Sequence, residues 1–168
     1  MQIAEIKRIV NLDFLINPLH GSPATFLWGA RQVGKTTHLR AAFPDAFWVD
    51  LLKSEVRAEY LVKPNLFRER VQANESSLVI IDEVQKVPAL LDEVHWLLEN
   101  SAKRFVLCGS SARKLMRQAK NLLGGRAINY FMFPLTTQEI GVGHLPHYLK
   151  NGGLPVPFLS TDAKKISK

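Results

Sequence analysis

Residues 24–37 read ATFLWGARQVGKTT, an apolar run that breaks into a glycine-bounded loop. The apolar run is too short for a helix and suits a buried strand. Gly29, Gly34, Lys35 and Thr36 then satisfy G-x-x-x-x-G-K-[ST]. Residues 34–42 carry a helical pattern, and Pro44 lies just beyond as a stop. Strand, loop and helix in that order have a physical logic. Glycines let the backbone turn sharply and bring its N–H groups toward an anion. The helix N-terminus adds partial positive charge at the same place. Lys35 supplies a point charge for phosphate oxygens, and the Thr36 hydroxyl suits a hard cation such as Mg²⁺. The expected phosphate cradle is therefore Gly29, Ala30, Arg31, Gln32, Val33, Gly34, Lys35, Thr36 and Thr37. A chance match in an ordinary glycine loop is the alternative, and the flanking strand and helix weigh against it. Arg31 reads equally well as an exposed structural arginine.

Further along, residues 78–85 read LVIIDEVQ. An apolar strand closing in a carboxylate delivers that carboxylate to the edge of the sheet where open α/β folds bind ligands. Asp82 is the expected metal carboxylate and Glu83 the expected base for an attacking water. Two acids capping the next helix would be the plainer reading, but the preceding phosphate loop favours the chemical one. Residues 105–115, FVLCGSSARKL, form another strand ending in small polar residues. Ser110 or Ser111 is placed to sense a terminal phosphate or hold water, with a helix cap as the equal alternative. Cys108 reads as strand filling. Arg113, Lys114, Arg117, Lys120 and Arg126 follow, with no acid from 112 to 127. Arg126 is the first candidate for an arginine offered to a neighbouring subunit's site. Contact with nucleic acid competes for this patch. A solvated helix face is the plainest use of Arg113, Lys114 and Arg117.

Outward from these motifs, the pattern predicts strands over 46–51, 78–81, 104–108 and 128–133. It predicts helices over 53–73, broken at Pro64, and from Pro88 to about residue 100. Ile3, Ile6, Ile9, Val10 and Phe14 recur at helical spacing, so an amphipathic N-terminal helix is expected. Strands alternating with helices predict an α/β fold: a mainly parallel sheet of about five strands with helices on both faces, in three layers. Glycines and prolines crowd residues 141–157, and STDAKKISK follows. That stretch reads as a connector.

The chain has 168 residues, 46% hydrophobic and 22% charged, which suits one folded domain and excludes wholesale disorder. One cysteine excludes an internal disulfide framework. No run of about 18 apolar residues suggests a spanning helix, and Glu5, Lys7 and Arg8 interrupt any signal-like start. A cytoplasmic setting without membrane is expected. The net charge of +7 suits anionic partners without naming one.

Taken together, GARQVGKTT, VIIDEVQKVPALLDEV, LCGSSARKL, LLGGRAINYFMFPLTTQEI and NGGLP resemble the bacterial and archaeal AAA-type P-loop ATPases whose members usually carry a DUF4143 domain after the ATPase module. The likeness runs over about residues 1–158. It implies a P-loop core of the additional-strand type that takes ATP and Mg²⁺. Lys35 and Thr36 would lie on the triphosphate, Asp82 on the metal, and Glu83 would act as base. Ser110 or Ser111 would be sensor-like, and Arg126 a characteristic arginine without an assigned role. It also implies ATP rather than GTP, which the loop pattern alone does not choose. The polar residues 159–168 stand where the family continues into its C-terminal domain, so the chain reads as a truncated product or a module with a separate partner. The expected function is ATP binding with Mg-dependent hydrolysis. The alternatives are a nucleotide-dependent switch or nucleic-acid adaptor with little turnover, or an inactive fragment. A homo-oligomer, and a nucleic-acid or protein partner on the 113–126 patch, are further expectations.

Overall fold

The apolar run before the glycine loop is a strand, β1 (Ala24–Trp28), with every residue buried. The structure, a computed structural model, describes residues 6, 8–10, 12, 23–110, 123 and 125–159. Four more strands join β1: β2 (Phe47–Asp50), β3 (Leu78–Asp82), β4 (Arg104–Gly109) and β5 (Ala127–Phe131). All pairings are parallel and the spatial order is β2-β3-β4-β1-β5. Parallel strands buried on both faces read as nearly continuous apolar runs rather than alternating ones. That is the pattern of ATFLW, LVII and FVLC.

The two faces of the sheet bury different side chains. Phe26, Trp28, Val79, Ile81, Phe105 and Leu107 pack on one side. Covering them are α2 (Ser54–Val62), α3 (Asn65–Ala73) and α4 (Leu90–Asn100), through Tyr60, Phe67, Val71, Leu91, Val94 and Leu97. Pro64 separates α2 from α3, as expected. On the other side Leu27, Ile80, Val106 and Cys108 meet Leu39 of α1 (Lys35–Ala42) and Leu12. Three layers result, with helices on both faces. Truncating a core leucine such as Leu97 to alanine should cost about 2–5 kcal/mol.

Two expectations fail. The N-terminal segment does not form a helix at Ile6, Arg8–Val10 or Leu12, and the other residues of the predicted helix lie outside the described ones. Here tertiary hydrogen bonds outcompete local periodicity. Arg8 donates to Glu139 and to the carbonyls of Val33 and Phe133, and the Ile9 N–H donates to Glu139. The glycine- and proline-rich end is likewise not a bare connector. It folds into α5 (Thr137–Ile140), α6 (Leu145–Asn151) and α7 (Pro155–Leu159). Leu135, Ile140 and Phe158 bury together as a small third cluster. A capping box between Thr136 and Glu139 starts α5, and Pro146 sits in the first turn of α6.

Candidate functional site

Parallel strands carry their carboxyl ends to one edge. The register sets Trp28 beside Gly109, and Asp50 beside Asp82. The loop after β1 leaves this edge and re-enters as α1. Gly29 lies so close to β5's exit that a Cβ there would stand 2.4 Å from the Met132 carbonyl oxygen. Gln32 (φ 65) and Gly34 (φ 93) both occupy the left-handed region, which glycine tolerates and glutamine adopts at a cost. Gly34 brings no capping side chain, and the first turn of α1 holds no acid. That end of the helix therefore has no side-chain cap and no acid of its own first turn to meet the helix dipole.

Lys35 is buried and its ammonium folds back over the loop. Nζ donates to the carbonyls of Gly29 (2.7 Å) and Ala30 (3.0 Å). Burial holds its pKa below the usual lysine value, against the neighbouring acidic groups that push it up. Across from it, Thr36 Oγ1 donates to Asp82 Oδ2 at 2.6 Å. Asp82 is buried, and that burial raises its pKa above the usual carboxylate value despite the Thr36 hydrogen bond. The nearby Glu83 and Asp50 charges raise it further. A buried carboxylate beside a hydroxyl is an oxygen donor pair of the kind Mg²⁺ takes, and a cation there would relieve the burial cost.

Glu83 follows in a left-handed conformation (φ 57, ψ 45) and turns the chain from β3 into a short 3-10 turn, Val84–Lys86. Its carboxylate is buried beside β4. Oε2 accepts from Ser110 Oγ at 3.2 Å and from Gln85 Nε2, which also donates to Ser110 Oγ at 3.2 Å. On the far side of the loop, a groove of ≈ 620 Å³ opens beside Gly34. Ile6, Thr37, His38, Ala41, Leu135 and Val156 line it.

A family model for the AAA domain matches residues 21–141. The chain belongs to the AAA domain family. Two relatives of this AAA domain, uncharacterised proteins of Mycobacterium bovis and Mycobacterium tuberculosis, are each 31% identical over 143 residues. That stretch is 83% of this chain and 32% of theirs, so the chain spans about a third of the length of the curated relatives it matches. Among solved structures, a Walker-type ATPase of Pyrococcus abyssi superposes with a TM-score of 0.53 at 16% identity. The likeness covers 82% of this chain and 56% of that one. The fold is thus the three-layer α/β fold of P-loop NTPases. β4 stands between the loop strand β1 and the acidic strand β3.

In this AAA domain the structure brings Lys35, Thr36, Asp82, Glu83 and Ser110 to one edge. Ala30, Arg31 and Thr37 lie exposed around the loop, while Val33 is buried beneath it. Arg126 does not join them. It precedes β5 at the opposite, amino edge, where its guanidinium donates to Glu99 at 3.0 Å and its carbonyl accepts from Ala24 N. Ser111, Arg113, Lys114, Arg117 and Lys120 lie outside the described residues.

Three residues at the site carry no role on sequence grounds. Asp50 gives the same signal as Asp82, a strand closing in a carboxylate, and sits beside it in register. Gln85 stands inside the DEVQ run, where nothing distinguishes a solvent-facing glutamine from one turned inward. Arg8 braces the loop through the Val33 carbonyl at 2.7 Å. No local signal announces so distant a contact.

Proposed function

We propose that the chain binds Mg·ATP at the carboxyl edge and hydrolyses its terminal phosphoanhydride. The observation that carries this reading is one convergence. The uncapped N-terminus of α1, the buried Lys35 folded over the Gly29–Ala30 turn, and the Thr36–Asp82 pair gather at the carboxyl edge of the sheet. Loop and helix N–H groups receive the phosphate oxygens, and Lys35 exchanges the carbonyls of Gly29 and Ala30 for the β- and γ-phosphates. Thr36 and Asp82 would hold Mg²⁺, which when bound would supply positive charge against the phosphates. Glu83 takes a proton from water. The water oxygen bonds to the γ-phosphorus while the bond to the β-phosphate bridging oxygen breaks, and that oxygen leaves on ADP. Ser110, hydrogen-bonded to Glu83, senses the departing phosphate. The groove between Ile6 and Val156 takes the base, which supports a nucleoside rather than a bare phosphate ligand. Arg126 enters only as a residue offered to a second copy, because it lies at the other edge.

Calorimetric titration of Mg·ATP together with phosphate release tests the reading. Lys35→Ala should weaken binding about tenfold or more, since hydrogen bonds to charged groups are worth about 1.5–3 kcal/mol. Glu83→Gln should keep affinity and lower turnover by about 10²–10⁴-fold. Unchanged binding and turnover in Lys35→Ala would sink the proposal.

A further inference from the structure

The structure assigns Gln85 as the positioning residue for Glu83: its amide anchors one carboxylate oxygen against Ser110 and leaves the other to meet the attacking water. The inference rests on the reading of Glu83 as base. The geometry goes beyond a casual contact. Gln85 Nε2 reaches both Glu83 Oε2 and Ser110 Oγ, and Ser110 Oγ closes the ring by donating to Glu83 Oε2. One oxygen of the carboxylate thus receives two donors. No described residue hydrogen-bonds the other, Oε1.

The amide orientation follows from the same contacts. Turned over, the amide would set its carbonyl against a carboxylate, so Nε2 must point to Glu83. Its own Oε1 is then forced back over Gly109, where it is buried without a partner among the described residues. A Cβ on Gly109 would stand 2.9 Å from that oxygen and 2.5 Å from the Trp28 ring. Gln85 therefore occupies room that only glycine leaves at this point of β4. An orphaned buried acceptor is destabilising. A methionine of similar length would fill the same room without that cost. Packing does not call for an amide here, but holding the Glu83 carboxylate does. A base must lie within hydrogen-bond reach of its proton in a fixed pose, and Glu83 leaves the strand on a single left-handed residue. Without Gln85 its side chain keeps, among the described residues, only the Ser110 anchor.

The test compares Mg·ADP with Mg·ADP·aluminium fluoride, a mimic of the in-line transition state, on the full chain and on the Gln85→Met, Gln85→Ala and Glu83→Gln variants. Mg·ADP affinity should stay within about twofold in all of them. The analogue should bind about tenfold or more weakly to both Gln85 variants, because misplacing a reacting group by about 1 Å costs up to 10²-fold. Gln85→Met should melt at or above the wild-type temperature, which a merely structural glutamine would not allow. Gln85→Ala should melt lower yet lose the analogue equally. If Glu83→Gln loses the analogue and the Gln85 variants bind it like wild type, the assignment of Gln85 falls and the base survives. If Glu83→Gln binds the analogue like wild type, the base reading falls and takes Gln85 with it.

Discussion

Asp82 shows how one side chain trades stability for chemistry. Burial raises its folded pKa above the unfolded value, so its stabilising contribution is full below the ordinary carboxylate range. That contribution is lost as pH rises through the raised value. Once ionised, the carboxylate is therefore a net burden until a cation arrives. Asp82→Asn should raise the ligand-free melting temperature by a few degrees, about 1 kcal/mol, and abolish the Mg²⁺-dependent part of nucleotide affinity. Melting curves with and without Mg·ATP check both halves. Gly29 is constrained differently, by its 2.4 Å approach to the Met132 carbonyl. Gly29→Ala must move backbone and should cost about 1–3 kcal/mol, read from a urea midpoint. The glycines, Lys35, Thr36, Asp82 and Glu83 are all legible in the sequence, because each is demanded by a local pattern. The role of Gln85 is not, since its partner Ser110 belongs to the end of another strand.

The bracket formed by Arg8 and Glu139 belongs to the scale of elements. The Arg8 Nε–Glu139 pair closes at 2.8 Å, with both side chains largely buried. It ties the N-terminal segment to the cap of α5 and, through the Val33 carbonyl, to the phosphate loop. Burial pushes the Glu139 carboxyl up, but the N–H groups of Thr136 and Ile9 and the Arg8 guanidinium outweigh it and hold the pKa below the usual value. A depressed carboxylate stabilises the fold above its unfolded pKa, and that contribution is lost as pH falls through the folded value. Glu139→Gln should cost about 1–3 kcal/mol at pH 7, with the difference from wild type shrinking as the pH drops below the ordinary glutamate range. Chemical denaturation across pH measures this. Arg8→Ala should weaken Mg·ATP binding as well. These contacts explain why the expected N-terminal helix is absent at residues 8–10 and why a glycine- and proline-rich stretch folds: each is decided by partners far away in sequence.

Across the whole molecule, the strand order places β4 between the loop strand and the acidic strand, so Ser110 meets Glu83 while Arg126 is sent to the opposite edge. Arg126→Ala should leave Mg·ATP affinity unchanged in dilute protein, which titration at low concentration would show. Nucleotide binding should be legible as global stability. At about 100 times the dissociation constant, Mg·ATP adds about 2.7 kcal/mol, an increment that Lys35→Ala should remove. Among the described residues no helix is long and apolar enough to cross a membrane. The sequence by itself determined the strands, the loop, the acidic pair and the family, because apolar run length, glycine placement and carboxylate position are local constraints. Only the tertiary structure decided which edge each side chain reaches, how Gln85 and Ser110 close on Glu83, and how Arg8 braces the loop. Those depend on strand order and register, which bring together residues that no short-range pattern connects.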